Sequence, residues 1–232
     1  MLVRRMAIGS AVVLALVAVG DQGLRAAAEH RLARQTSCRL HAVHSSVGIG
    51  GPLLVPQIVR NRYRHITIHS QGLREPGGAV NLNADLYEVR QVGHSRLYAG
   101  HGEVSVVVPF ATIGAAAGKD VSASEADGQL LFTSTDTADG TQGSTVYASV
   151  ALEDDTVVVT PVRVMLAGKQ VPWAQAKQTA ARTGQSLAQR RVRLPSLLTS
   201  LGLTSATATP AGLVLEASGP GLTLTIPDVP GC

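Results

Sequence analysis

The strongest constraint on how this chain can fold is a two-residue alternation of apolar and polar side chains. His65 to Ser70 sets Ile66 and Ile68 against Thr67 and His69. Val80 to Leu86 sets Val80, Leu82, Ala84 and Leu86 against Asn81, Asn83 and Asp85. Successive side chains of a strand point to opposite faces, so this spacing predicts antiparallel strands with one covered and one wet face. Leu97–Val108, Gln129–Thr135, Thr145–Leu152 and Thr156–Leu166 continue the pattern, with Glu153-Asp154-Asp155 as an acidic hairpin turn. A calcium site at that turn lacks the further oxygen ligands the ion needs.

Helical spacing is confined to short stretches. Asp21 to Gln35 places Leu24, Ala28 and Leu32 at four-residue intervals, and Asp21 has the side chain of an N-cap. Ala174 to Thr183 predicts another helix. Pro56, Pro109 and Pro195 each open a short one, as suits a residue whose missing N–H has no helical partner there. A hairpin follows each time, around Glu75–Gly78, Asp127-Gly128 and Ala211-Gly212. This recurring helix–hairpin order predicts short helices closing a long curved sheet. Independent reuse of common turn chemistry would give the same order. Gly140–Gly143 and Ala167–Lys169 read as loops, and with no long linker residues 21–232 read as one domain.

Residues 1–20 read as a signal peptide or a membrane anchor. Arg4 and Arg5 precede the apolar run Met6–Gly20, which falls short of the roughly 20 residues of a spanning helix. Ala18-Val19-Gly20 offers small residues for cleavage, and an uncleaved anchor is the alternative. Both place the remainder outside the cytoplasm, in the periplasm or cell envelope. The net charge is +4, and setting Arg4 and Arg5 aside leaves +2 on residues 21–232. With aromatic content at 3%, the chain lacks the stacking platforms of a single-stranded nucleic-acid binder, so no nucleic acid is expected. Cys38 and Cys232 suit an oxidising compartment. A bridge between them would tie the last residue to the end of the first helix; two unrelated thiols are the alternative.

Catalytic motifs are missing. Gly184-Gln185-Ser186-Leu187-Ala188 lacks the final glycine of a nucleophile elbow, and Leu53 stands where Gly48-Ile49-Gly50 would need a third dinucleotide-binding glycine. His65 and His69 share a strand face but stand about 13 Å apart, too far for one metal ion. Neither a cofactor nor a metal is implied. The basic cluster Arg60, Arg62 and Arg64, with His65, is the best polar candidate. On a helix Arg60 and Arg64 would lie one turn apart and could meet one phosphate, while Leu54, Ile58 and Val59 would pack inward or against acyl chains. A solvated helix face is the plainer reading.

Gly50-Gly51-Pro-Leu-Leu-Val-Pro-Gln, followed by Arg62-Tyr63-Arg-His-Ile-Thr-Ile, resembles the G-F-P-F-L-T-Q…G-x-Y/F-x-x-V-x-V signature of the LmeA-like phospholipid-binding proteins. The Leu201-Gly-Leu-Thr-Ser-Ala-Thr-Ala-Thr-Pro-Ala-Gly-Leu ending is similar too, and Leu53 and Leu54 stand where the family has aromatics. The resemblance implies an α+β, β-rich, tubular (TULIP-like) fold: an elongated, curved antiparallel sheet wrapped around short helices. It implies an exported, non-enzymatic envelope protein that binds phospholipid and serves envelope glycolipid assembly. Acyl chains are then expected in an apolar cleft lined by Leu53, Leu54, Ile58, Ile66, Ile68, Leu82, Leu86 and Phe110. Arg60, Arg62 and Arg64 are the headgroup candidates, and the membrane surface is an expected partner. A structural module scaffolding an envelope enzyme, with its own side chains filling the interior, is the rival. A hydrolase would need Ser, His and Asp to converge without any local motif.

Overall fold

The computed structural model describes residues 2–75, 78–92, 96–118, 120–134, 144–154, 156–166, 168–182, 188–193 and 201–225; for 2–20, 75, 179–182 and 193 it describes the backbone only. In chain order the elements are α1 (Leu2–Arg39), β1 (His44–Gly50), α2 (Leu54–Val59), β2 (Arg62–Glu75), β3 (Gly78–Val92), β4 (Arg96–Val108) and α3 (Phe110–Ala117). There follow β5 (Val121–Ala126), β6 (Gln129–Ser134), β7 (Ser144–Glu153), β8 (Thr156–Leu166), β9 (Lys169–Gln170) and α4 (Trp173–Arg182). The chain ends on β10 (Arg190–Arg193), β11 (Ser205–Thr209) and β12 (Gly212–Thr225).

The strands form two antiparallel sheets, one in the order β1-β2-β3-β4-β12-β11 and one in the order β10-β8-β7-β6-β5, with β9 added to β8. Each is an open path between two edge strands. This corrects the expected single elongated, curved sheet wrapped as a tube around short helices. The cause is local: hairpin-linked strands pair with their neighbours, and α3 interrupts the run after β4, so β5 to β8 build a second sheet. The second sheet carries a register shift at Tyr147/Ala148. Pro161 pairs with Ala148 there, and its missing N–H removes one ladder bond.

Two compact units divide the chain. The first comprises residues 1–71, 83–103 and 219–232, the second 72–82 and 104–218. In the first unit the expected alternation is realised, with Ile66 and Ile68 of β2 and Ala84 and Leu86 of β3 buried. At Glu88, where φ is +53°, the alternation slips by one and Val89 takes the buried place. β1 was not expected as a strand. It buries Ser45, Val47 and Ile49 against β2, and the Ser45 and Ser70 hydroxyls pair at 2.8 Å inside this core. The backbone N–H of Ile49 donates to Glu29 Oε1 of α1 at 2.8 Å. In the second unit the largest fully buried side chains among the described residues are Leu73, Leu82, Val104, Val106, Leu130, Val158 and Leu215. α3 lies on β5 through Gly114, where an added Cβ would stand 2.8 Å from the Val121 carbonyl oxygen.

Helix α1 runs through Gly20 and Asp21 without a break, so Asp21 is not the N-cap of its own helix. The β5–β6 turn at Asp127-Gly128 is as expected, and part of the expected loop at 167–169 is strand β9. The helix expected at Pro195 and the loop at Gly140–Gly143 lie outside the described residues. The expected Cys38–Cys232 bridge involves Cys232, which lies outside the described residues; Cys38, at the end of α1, is not a free thiol.

Candidate lipid-facing site

Helix α2 has six residues, too few to be stable alone, and side chains from its surroundings hold it in place. Its own cap position, Leu53, supplies no side-chain acceptor. The acceptor comes from α1: Asp21 Oδ1 takes the N–H of Leu54 at 2.7 Å. Asp21 therefore caps a helix, though not the one it belongs to. Arg25 bonds Asp21 Oδ2 at 3.2 Å and donates to the Gly51 carbonyl at 2.7 Å, fixing the turn that enters α2. Gly51 has φ +118°, and a Cβ there would collide with the Gln57 side chain. Gln57, buried, donates to the Leu53 carbonyl at 2.8 Å and accepts the N–H of Arg64 at 2.9 Å. The exit is fixed by Asn61, left-handed at φ +49°, whose Nδ2 donates to the Gln91 carbonyl at 3.0 Å.

The amphipathic order of this helix is inverted. Leu54 and Gln57 face inward, whereas Val55, Ile58 and Val59, spaced i, i+3, i+4 along one stripe, face solvent. Leu54 is completely buried, but Leu53, Val55, Ile58 and Val59 are 41%, 49%, 51% and 79% exposed. Of the two expected placements for Ile58 and Val59, inward packing is not the one observed, and both side chains face solvent.

The arginines are placed differently from the helical reading. Arg60 is the C-terminal cap of α2, and Arg62 and Arg64 belong to β2, so Arg60 and Arg64 are not one helical turn apart. The left-handed Asn61 ends the helical spacing between them. All three are exposed. Arg62 and Arg64 fall on the same alternate positions of β2 as Ile66 and Ile68, which are buried.

The eight expected apolar residues fall in both units. Ile66, Ile68, Leu86 and Leu54 are buried in the first unit, Leu53 and Ile58 are exposed there, and Leu82 and the half-buried Phe110 belong to the second. The opposite face of β2 carries a feature that no motif pointed to. His65, Tyr87 and His101, from β2, β3 and β4, stack face to face with centroids 4.4 and 4.7 Å apart and interplanar angles of 11° and 2°. His65 Nε2 pairs with Asp85 Oδ1 at 3.0 Å, and His69 Nδ1 with Asn83 Oδ1 at 3.0 Å. Among the described residues no three His, Cys, Asp or Glu side chains gather as a metal site. No helix among them is long and apolar enough to cross a membrane.

Helix α2 thus turns an apolar stripe outward beside exposed arginines, on a fold of open antiparallel sheets. Residues 19–218 match the LmeA-like phospholipid-binding family, and the chain belongs to that family. The family is one of lipid binders rather than catalysts, and phospholipid is its general ligand. No curated protein and no solved structure matches the chain.

Proposed function

We propose that the protein holds phospholipid by its acyl chains in an apolar cleft, and carries or presents that lipid in the cell envelope. Family membership supports phospholipid as the ligand, and the N-terminal pattern Arg4-Arg5 followed by Met6–Gly20 supports export. The observation that carries the finer reading is the order of residues along one face of β2. Arg62 and Arg64 are exposed, and Ile66 and Ile68 after them are buried. A phospholipid has the same order, an anionic head followed by apolar tails. Arg60, Arg62 and Arg64 would meet the phosphate as charge-assisted donors. Each buried methylene of the tails would contribute about 0.8 kcal/mol, so two long chains need no charged contact to be retained. The acyl-contact residues proposed in the first unit are Leu53, Leu54, Ile58, Ile66, Ile68 and Leu86.

Mass spectrometry of organic extracts from the natively purified protein tests this. Phospholipid in stoichiometric amount is expected. Protein that purifies free of lipid and takes up none from anionic vesicles would overturn the reading.

A further inference from the structure

We infer that α2 and the turn after it form a membrane-docking tip, whose apolar stripe enters the surface of an anionic phospholipid bilayer while Arg60, Arg62 and Arg64 meet the headgroups. The inference deepens the proposed function and rests on the reading of the protein as a phospholipid binder.

Three independent observations support a bilayer as the occupant. The first is the inverted helix. An exposed stripe of Val55, Ile58 and Val59, extended by Leu53, costs solvation free energy in water, and clustered apolar exposure of this kind marks an interaction surface. The inversion is held in place rather than loosely tolerated. Asp21 and Arg25 fix the entry to α2, Gln57 fixes its middle, and Asn61 fixes its exit. A patch meant for the core would not need polar ties holding its apolar side outward.

The second observation is charge. From Gly51 to Arg74 the chain carries Arg60, Arg62, Arg64 and Arg74 and no acidic residue. Three of these cations follow the apolar stripe directly. An apolar stripe bordered by cations fits the interface of an anionic leaflet, where tails and phosphates lie a few ångströms apart. The third is continuity with α1. Asp21, which bonds the first residue of α2, immediately follows the apolar stretch Met6–Gly20 of the same helix. The tip therefore sits beside the point where the chain's most apolar segment ends.

A tryptophan at the tip reports on this locally, whatever the N-terminal segment does. The full chain carries Trp173→Phe, which removes its one native tryptophan, together with Val59→Trp; Val55→Trp serves as a second reporter. Both sites are exposed, so the larger side chain meets no core. Vesicles of phosphatidylglycerol should shift the emission to the blue, and lipids brominated near the glycerol end should quench it. Phosphatidylcholine vesicles should give a weaker response. Replacing Arg60, Arg62 and Arg64 together by Gln should weaken the response to phosphatidylglycerol by on the order of a hundredfold, at about fivefold per arginine. Emission unchanged by phosphatidylglycerol at both sites would overturn the inference, as would equal quenching in the two vesicle types. Lipid that still co-extracts while the tip stays in water would leave the proposed function standing and remove the docking tip. Quenching at the tip of a protein that extracts no lipid would support the tip and remove the cleft.

Discussion

Helices α2 and α3 occupy the same place in two successive helix–hairpin units, yet they meet their surroundings in opposite ways. α3 lies on β5 through Gly114, and its Thr112 hydroxyl donates to the Ala79 carbonyl at 2.9 Å; none of its large apolar side chains is exposed. α2 buries one large apolar side chain, Leu54, and turns Val55, Ile58 and Val59 to solvent. α3 rests on β5 along its length, whereas α2 is held by one buried anchor, Leu54, and by hydrogen bonds at its entry, middle and exit. A short helix can therefore be positioned firmly without spending its apolar stripe on the core, which leaves that stripe for another partner.

The sharpest way to break this comparison is Leu54→Ala. Leu54 is the anchor of α2, and its truncation should cost about 2–5 kcal/mol in a denaturant titration. A cost no larger than that of an exposed valine would mean that α2 is not anchored there. On the other helix, Gly114→Val should cost about 1–3 kcal/mol, because the new side chain meets the Val121 carbonyl and lifts α3 from β5. Removing the cap that α1 lends to α2, by Asp21→Ala, should cost about 1–2 kcal/mol. Slowed exchange of the Leu54 amide with solvent should be lost in the same variant; an unchanged rate would show that Asp21 does not hold it. Val59→Ser should change stability by no more than about 0.5 kcal/mol, since the side chain touches little in the free protein. Measured thermal midpoints that ranked Val59 with Leu54 would erase the distinction between the two stripes.

Strands with clear alternation were legible in the sequence, because period two is a local property: β2, β3, β4 and β6 to β8 fall where Ile66, Leu82 and their counterparts predict. β1 was not legible, although Ser45, Val47 and Ile49 alternate, because Gly48 and Gly50 erase the polar half of the pattern. β10 reads Arg-Arg-Val-Arg and becomes a strand only because β8 offers its edge. The division into two sheets was hidden for a related reason, since strand pairing is a long-range choice that no window of sequence contains. At the candidate site the arginines were found but assigned the wrong spacing. One left-handed residue, Asn61, turns a helical period into a strand period. Asp21 was recognised as a capping side chain, and the helix it caps, 33 residues away, could be known only from the fold. The stacked rings of His65, Tyr87 and His101 lay on three separate strands and had no signal of their own in the sequence.

Open sheets carry a hazard that a closed tube would not, since each edge is a template on which another chain can add a strand. At the β1 edge, the Ile49 N–H is already occupied by Glu29, so an incoming strand would have to displace a carboxylate. At the β10 edge, the exposed Arg190 and Arg191 would bring like charges against a second copy. These guards resist self-assembly at high concentration, and the bond that Ile49 donates to Glu29 makes one edge of the sheet dependent on the helix beside it.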